Sequence, residues 1–199
     1  MTPKIYQIQI ALQGFQPKIW RRILIDPETS LHEFHIILQV TMGWTNSHLH
    51  QFIAGDMIYT DIDDTDDLWD DLGQTDYKGV RLDEVLKKEK DSIVYEYDFG
   101  DGWMHDIMLE KILPPDAAQT LPYCLAGSMN CPPEDCGGVA GYSEYLKIRL
   151  DPKHKEHASV VEWLGEDFDP EYFNVGEINE NLIDDDFRLD FDQLPDDEV

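Results

Sequence analysis

The stretch Ser92–Leu113, SIVYEYDFGDGWMHDIMLEKIL, is the most constraining feature of the chain. Two runs alternate apolar and polar residues, and Asp101-Gly102 lies between them. The segment therefore predicts an antiparallel β-hairpin. A plain hairpin needs one such turn pair. This one carries Asp98, Gly100, Asp101, Gly102, Trp103 and His105 close together. The turn accounts for Asp101 and both glycines. Trp103, His105, Ile107 and Leu109 fall on one face of the returning strand. On such a face His105 is either a satisfied core residue or a ligand. The turn does not account for Asp98, which precedes it.

The flanking sequence supplies further elements. KIYQIQIAL alternates as a half-buried strand, and KIWRRILI follows it as a second. SLHEFHIILQVTMGW predicts a helix. Ser30 is its N-cap, Glu33 completes a capping box, and Gly43 stops it. HLHQFIAGDMIYT predicts a third strand, and RLDEVLKK a short helix. The segment from Pro114 to Gly141 is rich in Pro, Gly and Cys, and is expected to be loop. YSEYLKIRL, KEHASVVEWLG, DPEYF and NVGEINENLI predict helices, with Asp169 capping the third and Asn174 the fourth. Strands first and helices last imply α+β, with a largely antiparallel sheet covered by helices. We expect one domain over residues 1–185 and an acidic tail over 186–199 that adds little to stability.

The chain has 199 residues, which suffices for a single core without disulfides. Fifteen basic residues against 42 acidic ones give a net charge of −27. Duplex nucleic acid and anionic membranes repel such a surface, so neither is an expected partner. The run Asp61–Asp71 contains seven Asp and no base. It fails the calcium-loop pattern, because Asp66 stands at the glycine position and Leu72 at the terminal glutamate position. No long apolar segment and no signal-peptide pattern is present, so a cytoplasmic location is expected.

Three further groups could carry chemistry. His48 and His50 are two apart on the expected third strand, so both should point to one face, as a chelating pair would. Cys124, Cys131 and Cys136 are separated by six and four residues. With a histidine they could close a zinc site; without metal they are reduced, packed thiols. Glu134 and Asp135 lie between Pro132-Pro133 and Gly137-Gly138, two joints that can turn their carboxylates inward. His154 and His157 suit a solvated helix start. Phosphate loops, dinucleotide fingerprints, nucleophile elbows and H-E-x-x-H are absent from the sequence.

In order along the chain, WRRILI, HEFHIILQVTMGWTNSHLHQF, YEYDFGDGWMHDIMLE, YCLAGSMNCPPEDCGGVAGYSEYL, DPKHKEH and WLGEDFDPEYFNVGEIN resemble the Ri-plasmid open-reading-frame-three-like family. That family is also met as passengers of insertion elements. The resemblance runs from about Tyr6 to about Leu182. It implies an α+β domain, and it implies no activity. Some members carry a resolvase-like label, which an acidic surface without recombinase chemistry does little to support. The family's motifs match at His48, His50, Asp98, Gly100, Asp101, Trp103, His105, Cys124, Cys131, Pro132, Pro133, Glu134, Asp135, Gly137, Gly138 and Tyr142.

These residues predict a binding or interaction module. Its polar groove would be formed by His48, His50, Asp98, Asp101, Trp103 and His105 with Glu134 and Asp135. A metal-dependent hydrolase or nuclease-like enzyme, with His48, His50, Asp98, Asp101 and Glu134 as ligands and base, is the alternative. A third reading is an acidic mimic of nucleic acid that occupies a basic protein.

Overall fold

The computed structural model describes residues 4–62 and 74–184. Most of the aspartate run and the expected tail lie outside them. One eight-stranded sheet has the order β5-β4-β3-β6-β7-β1-β2-β8. Its strands are β1 (Ile5–Leu12), β2 (Trp20–Ile25), β3 (His50–Ala54), β4 (Met57–Thr60), β5 (Gln74–Asp76), β6 (Ser92–Tyr97), β7 (Trp103–Leu113) and β8 (Tyr123–Ser128). Every pairing is antiparallel except β4 with β5. The helices are α1 (Leu31–Met42), α2 (Leu82–Val85), α3 (Gly138–Leu150), α4 (His157–Leu164) and α5 (Val175–Ile183). The chain is a single α+β domain.

The predicted hairpin is β6–β7, with Tyr97 facing Trp103. Alternation on β7 buries Trp103, His105, Ile107 and Leu109. β1 is more enclosed than its pattern suggests, because it lies between β7 and β2 and even Gln7 is nearly buried. The inner face, with Ile8, Ile10, Ile23, Phe52, Tyr95 and Trp103, forms one core with Phe34, Ile37 and Leu38 of α1.

Ser30 caps α1 by accepting from the Glu33 N–H at 3.1 Å, and Gly43 ends the helix at φ 90°. Nearly all of α1 is buried, because α5 packs on it and on β8. That burial extends to His35 and Gln39, whose polar atoms must then find partners inside. Asn174 caps α5 by accepting from the Gly176 and Glu177 N–H groups. α3 and α4 pack on each other through Ile148, Val160 and Leu164, and α3 joins the core through Tyr142.

Three expectations change. The third strand is a hairpin, β3–β4, folded at Gly55 with φ 62°. Gly55-Asp56 is a turn pair between two apolar runs, and it outweighs their continuity. The Pro/Gly/Cys segment is not all loop: β8 lies in it and pairs with β2. DPEYF is a turn, in which Asp169 Oδ1 accepts from the Glu171 N–H at 2.9 Å. This side chain-to-backbone bond competes with helix formation.

β8 is an edge strand, and α5 covers part of that edge. The Asn179 side chain accepts from the Cys124 N–H at 2.7 Å and donates to the Cys124 carbonyl at 3.0 Å. One amide thus occupies both outward backbone groups of Cys124, which a further strand would otherwise use.

Candidate functional site

The hairpin turn is held by Asp98. Its backbone sits at φ 56°, a left-handed conformation that Asp tolerates better than most residues. Its N–H donates to the Leu49 carbonyl at 2.9 Å, which ties the turn to the segment preceding β3. Asp98 Oδ1 accepts from the Gly100 N–H at 2.9 Å and the Asp101 N–H at 3.3 Å. One carboxylate oxygen is thereby fixed by the turn, and Oδ2 points elsewhere.

The loop Cys131–Gly138 closes against this turn. Asp101 Oδ2 accepts from the Gly137 N–H at 3.1 Å. Gly138, at φ 66°, lies so close that a Cβ there would stand 2.2 Å from the Asp101 carbonyl oxygen. Only glycine permits that approach. The loop's other end is fixed by Trp44, whose indole N–H donates to the Pro132 carbonyl at 3.0 Å. Glu134 accepts from the Tyr97 hydroxyl, from Thr45 Oγ1 at 2.6 Å and from the Thr45 N–H at 3.4 Å. Burial, with Glu134 beside it, pushes the Tyr97 hydroxyl well above its usual range.

Three segments therefore meet: Trp44–His48, the turn Asp98–Gly102 and the loop Cys131–Gly138. His48 Nε2 lies 3.3 Å from Asp135 Oδ1 and 3.8 Å from Asp98 Oδ2. Neither contact has hydrogen-bond geometry, and Nε2 is screened from water. One ligand atom from each of His48, Asp98 and Asp135 lies within 4.8 Å of the other two. Asp135, also left-handed at φ 59°, is 75% exposed at its side chain, so the group opens to solvent. Leu49 and Phe99 stand exposed beside it.

Other expected site residues lie elsewhere. Trp103 and His105 are wholly buried, so they form the floor under the site and do not line the groove. Trp44 packs on both, at 5.9 and 5.2 Å between ring centroids. His105 Nδ1 is 3.1 Å from the Trp103 carbonyl, and burial pushes its pKa down to about 4.

His50 parts from His48 because β3 begins at His50, so strand alternation does not govern the residue two before it. Its ring stacks on His35, 3.4 Å between centroids and 2° from parallel. Its Nε2 is 3.1 Å from the Tyr77 hydroxyl. Burial, then the neighbouring His35, hold its pKa well below the ordinary value. His35 is pushed to about 4 by burial, and it bridges Asn46 Oδ1 at 2.7 Å and the Tyr95 hydroxyl at 2.8 Å. His50 is thus not a member of the ligand group around His48 among the described residues.

Cys124, Cys131 and Cys136 are free and buried, and their thiols form no such ligand group among the described residues. Burial raises all three, Cys136 to about 12, so they are protonated, poorly nucleophilic thiols. His157 Nε2 is 3.2 Å from the Arg149 carbonyl, and His154 Nδ1 accepts from the Glu156 N–H at 3.2 Å. Both act locally around α4.

Sequence reading missed Thr45, Ser47 and Tyr97. The Ser47 N–H donates to the Tyr97 hydroxyl at 3.0 Å. The signal was present: a Thr-Asn-Ser run directly after a helix stop, leading into two histidines.

The comparisons with known proteins agree with this architecture. A crystal structure of a protein of unknown function, MM3350 from Methanosarcina mazei Go1, is 34% identical, with a TM-score of 0.79. The match covers 89% of this chain and 98% of that one. The uncharacterized protein y4hQ of Sinorhizobium fredii is 35% identical over 186 residues, which is 92% of this chain and 93% of the relative. Residues 4–177, and with them all three segments of the site, match the family described as plasmid pRiA4b ORF-3-like protein; the chain belongs to that family.

Proposed function

We propose that the protein is a binding module whose groove takes a positively charged ligand. The observation that carries this reading is the convergence of carboxylates from two segments far apart in sequence: Asp98 and Asp135 face His48, Glu134 accepts from Thr45, and Asp101 holds the loop through the Gly137 N–H. No Lys or Arg pairs with any of these four carboxylates among the described residues. Exposed Leu49 and Phe99 offer apolar contact beside the charge, as recognition surfaces do. A basic protein segment or a metal ion would suit such a groove. Three buried free thiols fit a reducing compartment such as the cytoplasm. Among the described residues no helix is long and apolar enough to cross a membrane.

The test is a titration followed by backbone amide NMR, with an oligoarginine peptide and, separately, Zn2+ and Mn2+ as probes. At least one probe should shift the amides of residues 45–48, 98–102 and 134–138 together. Asp101→Asn should weaken that response. Shifts spread evenly over the acidic surface, or none at all, would overturn the reading.

A further inference from the structure

We propose that His48, Asp98 and Asp135 form a binding site for a divalent transition-metal ion of the zinc–manganese type. This rests on the groove reading above and names its ligand. His48 Nε2 is the second, independent observation beside the carboxylates. It is a nitrogen screened from water, without a hydrogen-bond partner, between two carboxylate oxygens at 3.3 and 3.8 Å. The His48 side chain is 26% exposed, yet this nitrogen is screened, and a screened nitrogen without a hydrogen bond costs free energy unless something occupies its lone pair.

The spacing suits an ion. Ligand atoms 3.3 to 4.8 Å apart surround a point roughly 2 to 2.8 Å from each, and bonds from nitrogen and oxygen to divalent metals are about 2.0–2.6 Å. The donor set selects among ions. Imidazole suits zinc and iron, and the two carboxylates also admit manganese, whereas magnesium and calcium prefer all-oxygen shells.

The ligands are also held in place. The Gly100 and Asp101 N–H groups occupy Asp98 Oδ1 and leave Oδ2 for the ion. Asp101 fixes the loop that carries Asp135 through the Gly137 N–H. Such outer bonds orient ligating carboxylates in metal sites. Three protein ligands leave further coordination positions. These open toward solvent beside Asp135, where water can complete the shell.

The experiment is equilibrium dialysis of the metal-stripped full chain against ZnCl2 and MnCl2, read by elemental analysis. We expect one tightly held ion per chain. His48→Ala and Asp135→Asn should each weaken binding by more than about tenfold, a scale that even outer-shell changes reach. Cys124→Ser, on β8 and outside the three segments, should leave binding unchanged. Asp98→Asn keeps a residue type that tolerates the left-handed backbone, and it should behave like the other two. If it fails to fold, His48→Ala and Asp135→Asn still decide the matter, because neither side chain is in the core. The Co2+-loaded chain should show nitrogen and oxygen ligation, with no thiolate charge-transfer band. The proposal is overturned by a thiolate band, by loss of metal only in Cys124→Ser, or by several weakly held ions unaffected by the His48 and Asp135 variants. If no metal binds but the oligoarginine peptide does, the metal site fails and the groove reading stands. If neither binds, both fail.

Discussion

His48 and His50 are separated by one residue, and their surroundings are opposite. His50 stacks on His35 within a shell of Phe52, Tyr77 and Tyr95, and its ring nitrogen reaches a tyrosine hydroxyl. His48 stands at the mouth of a groove, with its ring nitrogen facing two carboxylates and bonded to neither. The first environment uses imidazole as a neutral, space-filling hydrogen-bond partner. The second leaves it available. A histidine's role therefore depends on where its strand begins, not on its spacing from another histidine.

The largest test of this contrast is pH. His35 and His105 titrate near 4 in the folded chain, and His50 well below its ordinary value, all chiefly through burial. In the unfolded chain each titrates near about 6.5. Below that pH the unfolded chain binds more protons than the folded one. The stability these rings supply is therefore fully present above about pH 6.5 and is lost as pH falls toward about 4. The slope is about 1.4 kcal/mol per pH unit for each histidine. Protonating carboxylates on a chain of net charge −27 relieves repulsion and acts the other way. The histidine part is therefore read as a difference: denaturant unfolding of His50→Gln should lose about one proton's worth of slope between pH 7 and 5. Identical slopes would place His50 in water.

A second test attacks the groove alone. Gly138→Ala puts a Cβ against the Asp101 carbonyl at a left-handed φ. It should cost about 3 kcal/mol and detach the loop from the turn. The amide signals of residues 98–102 should move, while the protection of β6 and β7 amides stays. Tolerance of alanine would mean that the loop does not need this approach.

The smallest effect separates the two histidines directly. His50→Ala should cost about 2 kcal/mol, through a vacated ring space and a Tyr77 hydroxyl left without that partner. His48→Ala should stay within about 0.5 kcal/mol in the absence of a ligand. Equal losses in thermal unfolding would dissolve the distinction between them.

Much of the fold was legible because its signals are local. The hairpin, the capped α1 and Asn174 before α5 each announce themselves within a few residues. β8 escaped notice because proline, glycine and cysteine surround it, and only its pairing with β2 makes it a strand. Of the site, Asp98, Asp101, Glu134 and Asp135 could be named from turn and joint residues, and His48 from its motif. The sequence reading put Asp135 and His48 in one groove, but the contact of Glu134 with Tyr97 and Thr45 was not legible. It depends on an approach between residues far apart in sequence that Gly138 allows and Trp44 anchors. His105 was open between core and ligand, and its complete burial under Trp44 places it in the core.

The Asn179 amide on Cys124 has a consequence for how copies of this chain coexist. An open sheet ends in rows of unsatisfied backbone groups, and such rows recruit strands from other molecules. At one border stands β5, which pairs with β4 over three described residues. At the other, α5 acts as a stopper: a side chain poses as the next strand for one residue, and the helix behind it blocks the approach of a real one. A nick or frameshift that removed α5 would turn β8 into a template, and the first symptom would be stacking of chains into insoluble assemblies.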